Sequence, residues 1–136
     1  MSKSNITENE TLDSLIRWVD PTWRANANRY IALYTADPGD AWTAITNEAT
    51  FWWYARVSVV ASSGFAAASW WVTSNTWLVQ FPECTSWTET ISHFGIVTTA
   101  SWAGQIIYSG VLASSRSVSS WIQLQFWAGN LQVTED

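Results

Sequence analysis

Positive charge is scarce in this chain of 136 residues: Lys3, Arg17, Arg24, Arg29, Arg56 and Arg116 face 11 acidic residues, for a formal net charge of −5. So thin a basic surface cannot neutralise a phosphate backbone, which removes nucleic acid from the expected partners. Cysteine is reduced to Cys84 and histidine to His93. No internal disulfide can form, and the two cannot fill a tetrahedral zinc shell. Cys84 reads as a small buried hydrophobe, since no neighbouring His or cation would activate its thiol. Long apolar runs are also missing, with nothing near the ~18 residues of a membrane-spanning helix. The start, "MSKSNITENETLDS", lacks the basic and apolar regions of a secretion signal. The expectation is a soluble protein made in a cytoplasm, with no membrane partner.

What the chain does have is one domain's worth of short β-type runs. Residues 1–11 are polar and acidic and read as a flexible arm. Residues 12–28 read as a short helix and a connection: Thr11 is the expected N-cap, Leu12, Leu15 and Ile16 share one face, and Pro21 ends the element. Residues 29–136 alternate in the β manner. "RYIALYT" stops at the turn "DPGD", "YARVSVVAS" sends Ala55, Val57 and Val59 to one face, and "TWLVQF", "ETISHFGIVTT", "QIIYSGVLA", "IQLQF" and "LQVTE" follow. Seven to eight such runs without helical patterns between them predict an all-β antiparallel sandwich.

Tryptophan is abundant instead, with 12 residues against 6 glycines. At "SWW", "TSW", "ASWAG" and "SSW" it follows Ser or Thr in what reads as a turn, so a core role fails by position. A platform for sugar rings or a partner would use a few indoles on one surface. Indoles at nearly every bend would instead expose more apolar area than a soluble monomer tolerates. The third reading is that these letters stand where the folded chain wants glycine, which alone adopts positive φ without strain. A codon read as tryptophan in one genetic code and as glycine or a stop in another would produce the pattern, as would deliberate substitution.

With glycine in mind at those places, several stretches resemble a family of small bacteriophage virion proteins commonly labelled tail fibre proteins. They are "YIALYTADPGDA", "NEATF..YARVSV", "AAAS", "VQFPE", "ISHFGI", "IIYSGVL" and "F.AGNLQV", in order from about Arg29 to Asp136. The resemblance implies a compact β-domain on the virion, made in the bacterial host cytoplasm. Its expected partners are the major capsid protein or other virion proteins, and copies of itself. Capsid decoration, a cement role on the major capsid protein, is the leading expectation. A tail-fibre or tail adaptor domain and a tryptophan-rich carbohydrate-binding module are the alternatives.

No enzyme motif stands out, and no cofactor or metal is expected. His93 reads as a hydrogen-bonded strand residue, and Glu48, Glu83 and Glu89, the carboxylates a glycosidase would need, read as solvated. Asp37 and Asp40 read as turn formers more readily than calcium ligands. The candidate contact residues are Asp37, Asp40, Trp42, Glu48, Trp52 and Trp53, from the long excursion 37–53, together with Arg56. Arg56 points outward from an apolar strand, either as a solvated edge charge or toward an acid on a neighbouring subunit.

Overall fold

The computed structural model describes residues 1–40 and 43–135. Its first element is not a free arm. Helix α1 spans Asn5–Arg17, capped by Ser4, whose hydroxyl accepts from the Thr7 N–H. Ser4 and Thr7 also donate to the Ile106 carbonyl at 2.5 and 2.8 Å, and Ser2 exchanges backbone hydrogen bonds with Ser109. The expected arm through residue 11 and the expected cap at Thr11 are therefore corrected. A segment with little apolar surface to bury is ordered by hydrogen bonds to a strand, which hydropathy does not reveal. The helix closes before Pro21, at Trp18, where the Val19 N–H bonds the Asp13 carbonyl. A single 3-10 turn, Thr22–Ala25, leads into the sheets.

Among the described residues eight strands follow: β1 (Asn28–Tyr34), β2 (Val57–Val60), β3 (Val72–Ser74), β4 (Val79–Gln80), β5 (Glu89–Val97), β6 (Ile106–Val118), β7 (Gln125–Phe126) and β8 (Gln132–Thr134). Every pairing is antiparallel. The main sheet runs β2-β1-β5-β6, and two-stranded sheets β3-β8 and β4-β7 complete an all-β, sandwich-like fold. β3 has no counterpart among the sequence-predicted runs. β6 extends past Ala113 through "SSRSV", polar residues that alternation does not mark as strand.

Alternation along the central strands sets the core. In the β1–β5 register Ile31 lies opposite Ile96 and Leu33 opposite Phe94, and these side chains join Phe51, Val79, Phe81, Leu131 and Val133 in the larger cluster. The other face of β1 carries Ala32 and Tyr34, buried with Ala44, Val97 and Ile106 in a second cluster. The central strands are thus covered on both faces, which explains why "YIALY" reads as nearly continuous apolar sequence. Gly95 makes this second layer possible: a Cβ there would stand 2.8 Å from the Tyr34 ring. The Tyr34 hydroxyl then reaches the Ala44 carbonyl at 3.0 Å and fastens the excursion over the sheet.

Candidate interaction surface

Of the sequence-predicted contact residues, Glu48 and Arg56 are brought together, in the interior. Arg56 is buried, and its Nε and Nη2 donate to the two carboxylate oxygens of Glu48 at 2.6 and 2.7 Å. Its other donors reach the Thr99 carbonyl and hydroxyl and the Trp102 carbonyl at 2.9, 3.0 and 2.8 Å. All five guanidinium N–H groups are thereby used. Burial pulls the Arg56 pKa down, but hydrogen bonding and Coulomb attraction to Glu48 outweigh it, and the net shift is upward. The expected outward, solvent-facing Arg56 is corrected, as is a solvated Glu48. The acid that Arg56 meets comes from its own chain, and the pair ties Glu48 of the excursion to the loop carbonyls of Thr99 and Trp102.

Tyr54 extends the lock, its hydroxyl donating to Glu48 at 2.9 Å and accepting from the Leu33 N–H at 3.1 Å. Burial, then the negative charge of Glu48, pushes its pKa far up, so this phenol stays protonated. Glu89 is likewise engaged, accepting from the Thr50 and Phe51 N–H groups at 2.8 and 3.0 Å and from the Thr50 hydroxyl at 2.6 Å. Glu83 alone of the three carboxylates is exposed without a hydrogen-bond partner among the described residues. His93 sits half-buried on β5 with Nδ1 2.8 Å from the Ser92 hydroxyl.

The remaining candidates disperse. Asp37 accepts from the Gly39 N–H at 2.8 Å in a side-chain-closed turn. Asp40 accepts from the Ser2 hydroxyl at 3.0 Å and so helps hold the N-terminal segment. Trp52 and Trp53 occupy the tip of an exposed turn, Phe51–Tyr54. Trp42 lies outside the described residues.

The surface that sequence reasoning missed is on α1. The sequence pattern places Leu12, Leu15 and Ile16 on one face, the spacing of a helix packed on its own core. In the structure that face points away from the domain: Leu12 is 60% exposed, Leu15 71% and Ile16 75%, and Val19 beyond the helix end is exposed too. The polar side is turned inward instead. Thr7 is buried, Thr11 donates back to the Thr7 carbonyl, and Gln105 Nε2 donates to Thr7 Oγ1 at 2.8 Å and to Glu10 at 3.1 Å. Periodicity reveals that a stripe exists, but not which way it faces.

The tryptophans are not core residues. Ten are exposed, and Trp23, half-buried with its ring 5.8 Å from the Arg29 guanidinium, is the exception among the described ones. Apart from Asn47, every non-glycine residue recorded at positive φ is a tryptophan: Trp18, Trp53, Trp70, Trp71, Trp87, Trp102 and Trp121.

One groove of about 480 Å³ opens beside the outer half of β6, lined by Phe94, Val111, Leu112, Leu124 and Phe126, with Arg116 its one charged residue. Among the described residues its walls carry no carboxylate side chain and no histidine.

A family model described as podophage GP4 fiber I protein gp80 matches residues 2–134. The chain belongs to this family. Membership makes it a phage virion structural protein. The match covers α1 as well as the sheets, so the inverted helix lies within the family's own region. No curated protein matches the chain.

Proposed function

We propose that this fibre-family protein is a non-enzymatic subunit of the tail fibre, seated on another virion protein through the apolar stripe of α1. The single observation that carries the reading is the helix orientation. Ser4 and Thr7 spend their hydrogen bonds on β6, while Leu12, Leu15 and Ile16 remain in water. A helix that faces outward with its apolar side is completed by a partner groove, as in helix-in-groove recognition. The family's description as a fibre protein supports the tail location. Glu48 and Glu89 support the structural role, because both are engaged in holding loops.

Capsid decoration is the second reading. It is favoured by the helix inventory, since α1, at 13 residues, is the longest helix among the described residues. That is short for the coiled-coil stalk a fibre often carries. The test is electron microscopy of particles carrying labelled protein, alongside the variant Leu15→Glu/Ile16→Glu. The expected result is label on the tail, and a variant that folds normally but is lost from purified particles. Label over the shell replaces the fibre reading with decoration. Incorporation of the variant at the wild-type level refutes docking through α1.

A further inference from the structure

We infer that the seven tryptophans on left-handed backbone are glycine in the polypeptide that the phage produces, the codon written as tryptophan being decoded as glycine there. Each of these positions has the local geometry that glycine serves. At Trp18 (φ 60°) the chain leaves α1 through a six-to-one bond from the Trp18 N–H to the Asp13 carbonyl, which the Val19 N–H also reaches, at a left-handed C-terminal cap of the kind in which glycine predominates. At Trp70 and Trp71 (φ 51° and 60°) Ser69 and Val72 exchange both backbone hydrogen bonds, at 2.9 and 3.0 Å. This is a two-residue hairpin whose central residues both need positive φ. Trp53 (φ 73°) and Trp121 (φ 73°) are the third residues of turns closed by Tyr54 N–H to Phe51 and Ile122 N–H to Ser119. Glycine takes that place in turns that require positive φ. Trp87 and Trp102, at φ 84° and 62°, lie in the loops entering β5 and β6.

The rest of the chain follows ordinary backbone chemistry. Its other positive-φ residues are Gly39, Gly129 and Asn47, types that tolerate the region. No Phe, Tyr, Leu, Ile or Val is recorded there. Strain thus falls on one residue type alone. A fold that exploited strained indoles for recognition would concentrate them at one site, and the strongest case for that is where Trp52 N–H bonds Ser86 and Trp121 N–H bonds Cys84. That grouping gathers Trp52, Trp53, Trp87 and Trp121, yet Trp18, Trp70 and Trp71 belong to the cap of α1 and to the hairpin before β3, where the same φ recurs. Trp23 stands apart: it is not recorded at positive φ, and its half-buried ring packs on the core beside Arg29.

The test is peptide sequencing by mass spectrometry of the protein enriched from infected host cells, so that the outcome does not depend on where the protein sits in the particle. Every peptide spanning the seven positions is expected to be lighter by the difference between tryptophan and glycine, with one shared triplet at all seven in the gene. Tryptophan at these positions in the phage-made protein overturns the inference.

Discussion

Replacing Trp70 and Trp71 by glycine should stabilise the tryptophan-containing chain, although it removes two of its largest side chains. The indoles have little to lose, being 84% and 70% exposed. Their backbones, at φ 51° and 60°, sit where an L-residue costs roughly 1–2 kcal/mol. Glycine relieves that strain and returns about 0.5–1 kcal/mol through the greater freedom of the unfolded chain. The balance is a gain of about 0.5–1 kcal/mol per site, or ~1–2 kcal/mol for the hairpin. For a domain of this size, the midpoint of thermal unfolding should rise by roughly 5 °C. The assay is thermal and urea unfolding of the tryptophan-containing chain, Trp70→Gly/Trp71→Gly and Trp70→Ala/Trp71→Ala. Alanine removes the indoles but keeps the Cβ that creates the strain, so it separates backbone relief from any benefit of a less sticky surface. Equal midpoints for the glycine and alanine variants would refute the reasoning. A glycine variant less stable than the tryptophan-containing chain would show that the indoles are packed in solution.

The Arg56 lock should be far more sensitive. Arg56→Ala leaves the largely covered Glu48 without its cation, with only the Tyr54 hydroxyl still donating to it, and is expected to cost about 3 kcal/mol in urea unfolding. Arg56→Lys should recover only part of this, because an ammonium cannot reproduce five planar donors. Gly95→Ala should destabilise by about 1–3 kcal/mol, since the added Cβ meets the Tyr34 ring at 2.8 Å and the ring is confined on all sides. Glu135 gives a pH signature. Burial raises its pKa, but hydrogen bonds from Lys3 and Tyr108 outweigh this and hold it below 4.5. Its contribution is therefore complete above 4.5 and disappears as pH falls through the lower folded value. Glu135 is 47% exposed, so the effect is small. Unfolding curves of Glu135→Gln and wild type should differ slightly at neutral pH and converge in acid.

The central strands were legible although both of their faces are buried. "RYIALYT" and "ETISHFGIVTT" predict β1 and β5 closely, because a short apolar run bounded by turn residues reads as a strand covered on both sides. β3 was hidden because its preceding hairpin carries Trp-Trp in place of turn residues, and no propensity rule reads that pair as a hairpin. The start of α1 was hidden for another reason: Ser4 and Thr7 are held by the carbonyl of Ile106, about a hundred residues away, and local pattern has no access to such a partner. Arg56 was misplaced on the surface because a charge on a strand is ordinarily solvated, and its acid, Glu48, belongs to an excursion without regular structure. Four turn positions, by contrast, were marked in the sequence by the tryptophans themselves: Trp70, Trp87, Trp102 and Trp121 each follow Ser where a bend was due.

The attachment of α1 explains why its apolar stripe can remain available. An intramolecular hydrogen bond contributes only about 0.5–1.5 kcal/mol net, and the helix is fixed chiefly by such bonds: Ser4 and Thr7 to Ile106, Gln105 to Thr7 and Glu10, and Thr22 to Glu10. Burying Leu12, Leu15 and Ile16 in a partner would add roughly 1.5–3 kcal/mol for each side chain fully covered. The partner's contribution is then comparable to that of the helix's own seat. Docking and helix order must consequently be coupled, with the helix held loosely before assembly and firmly after it. Hydrogen exchange at the α1 amides should accordingly be faster than at β1 or β5 in the free protein, and should slow by ten-fold or more in the particle, each factor of ten corresponding to ~1.4 kcal/mol. Equal protection of α1 in both states would mean that the outward face has no partner, and that the polar seat alone is sufficient to hold the helix.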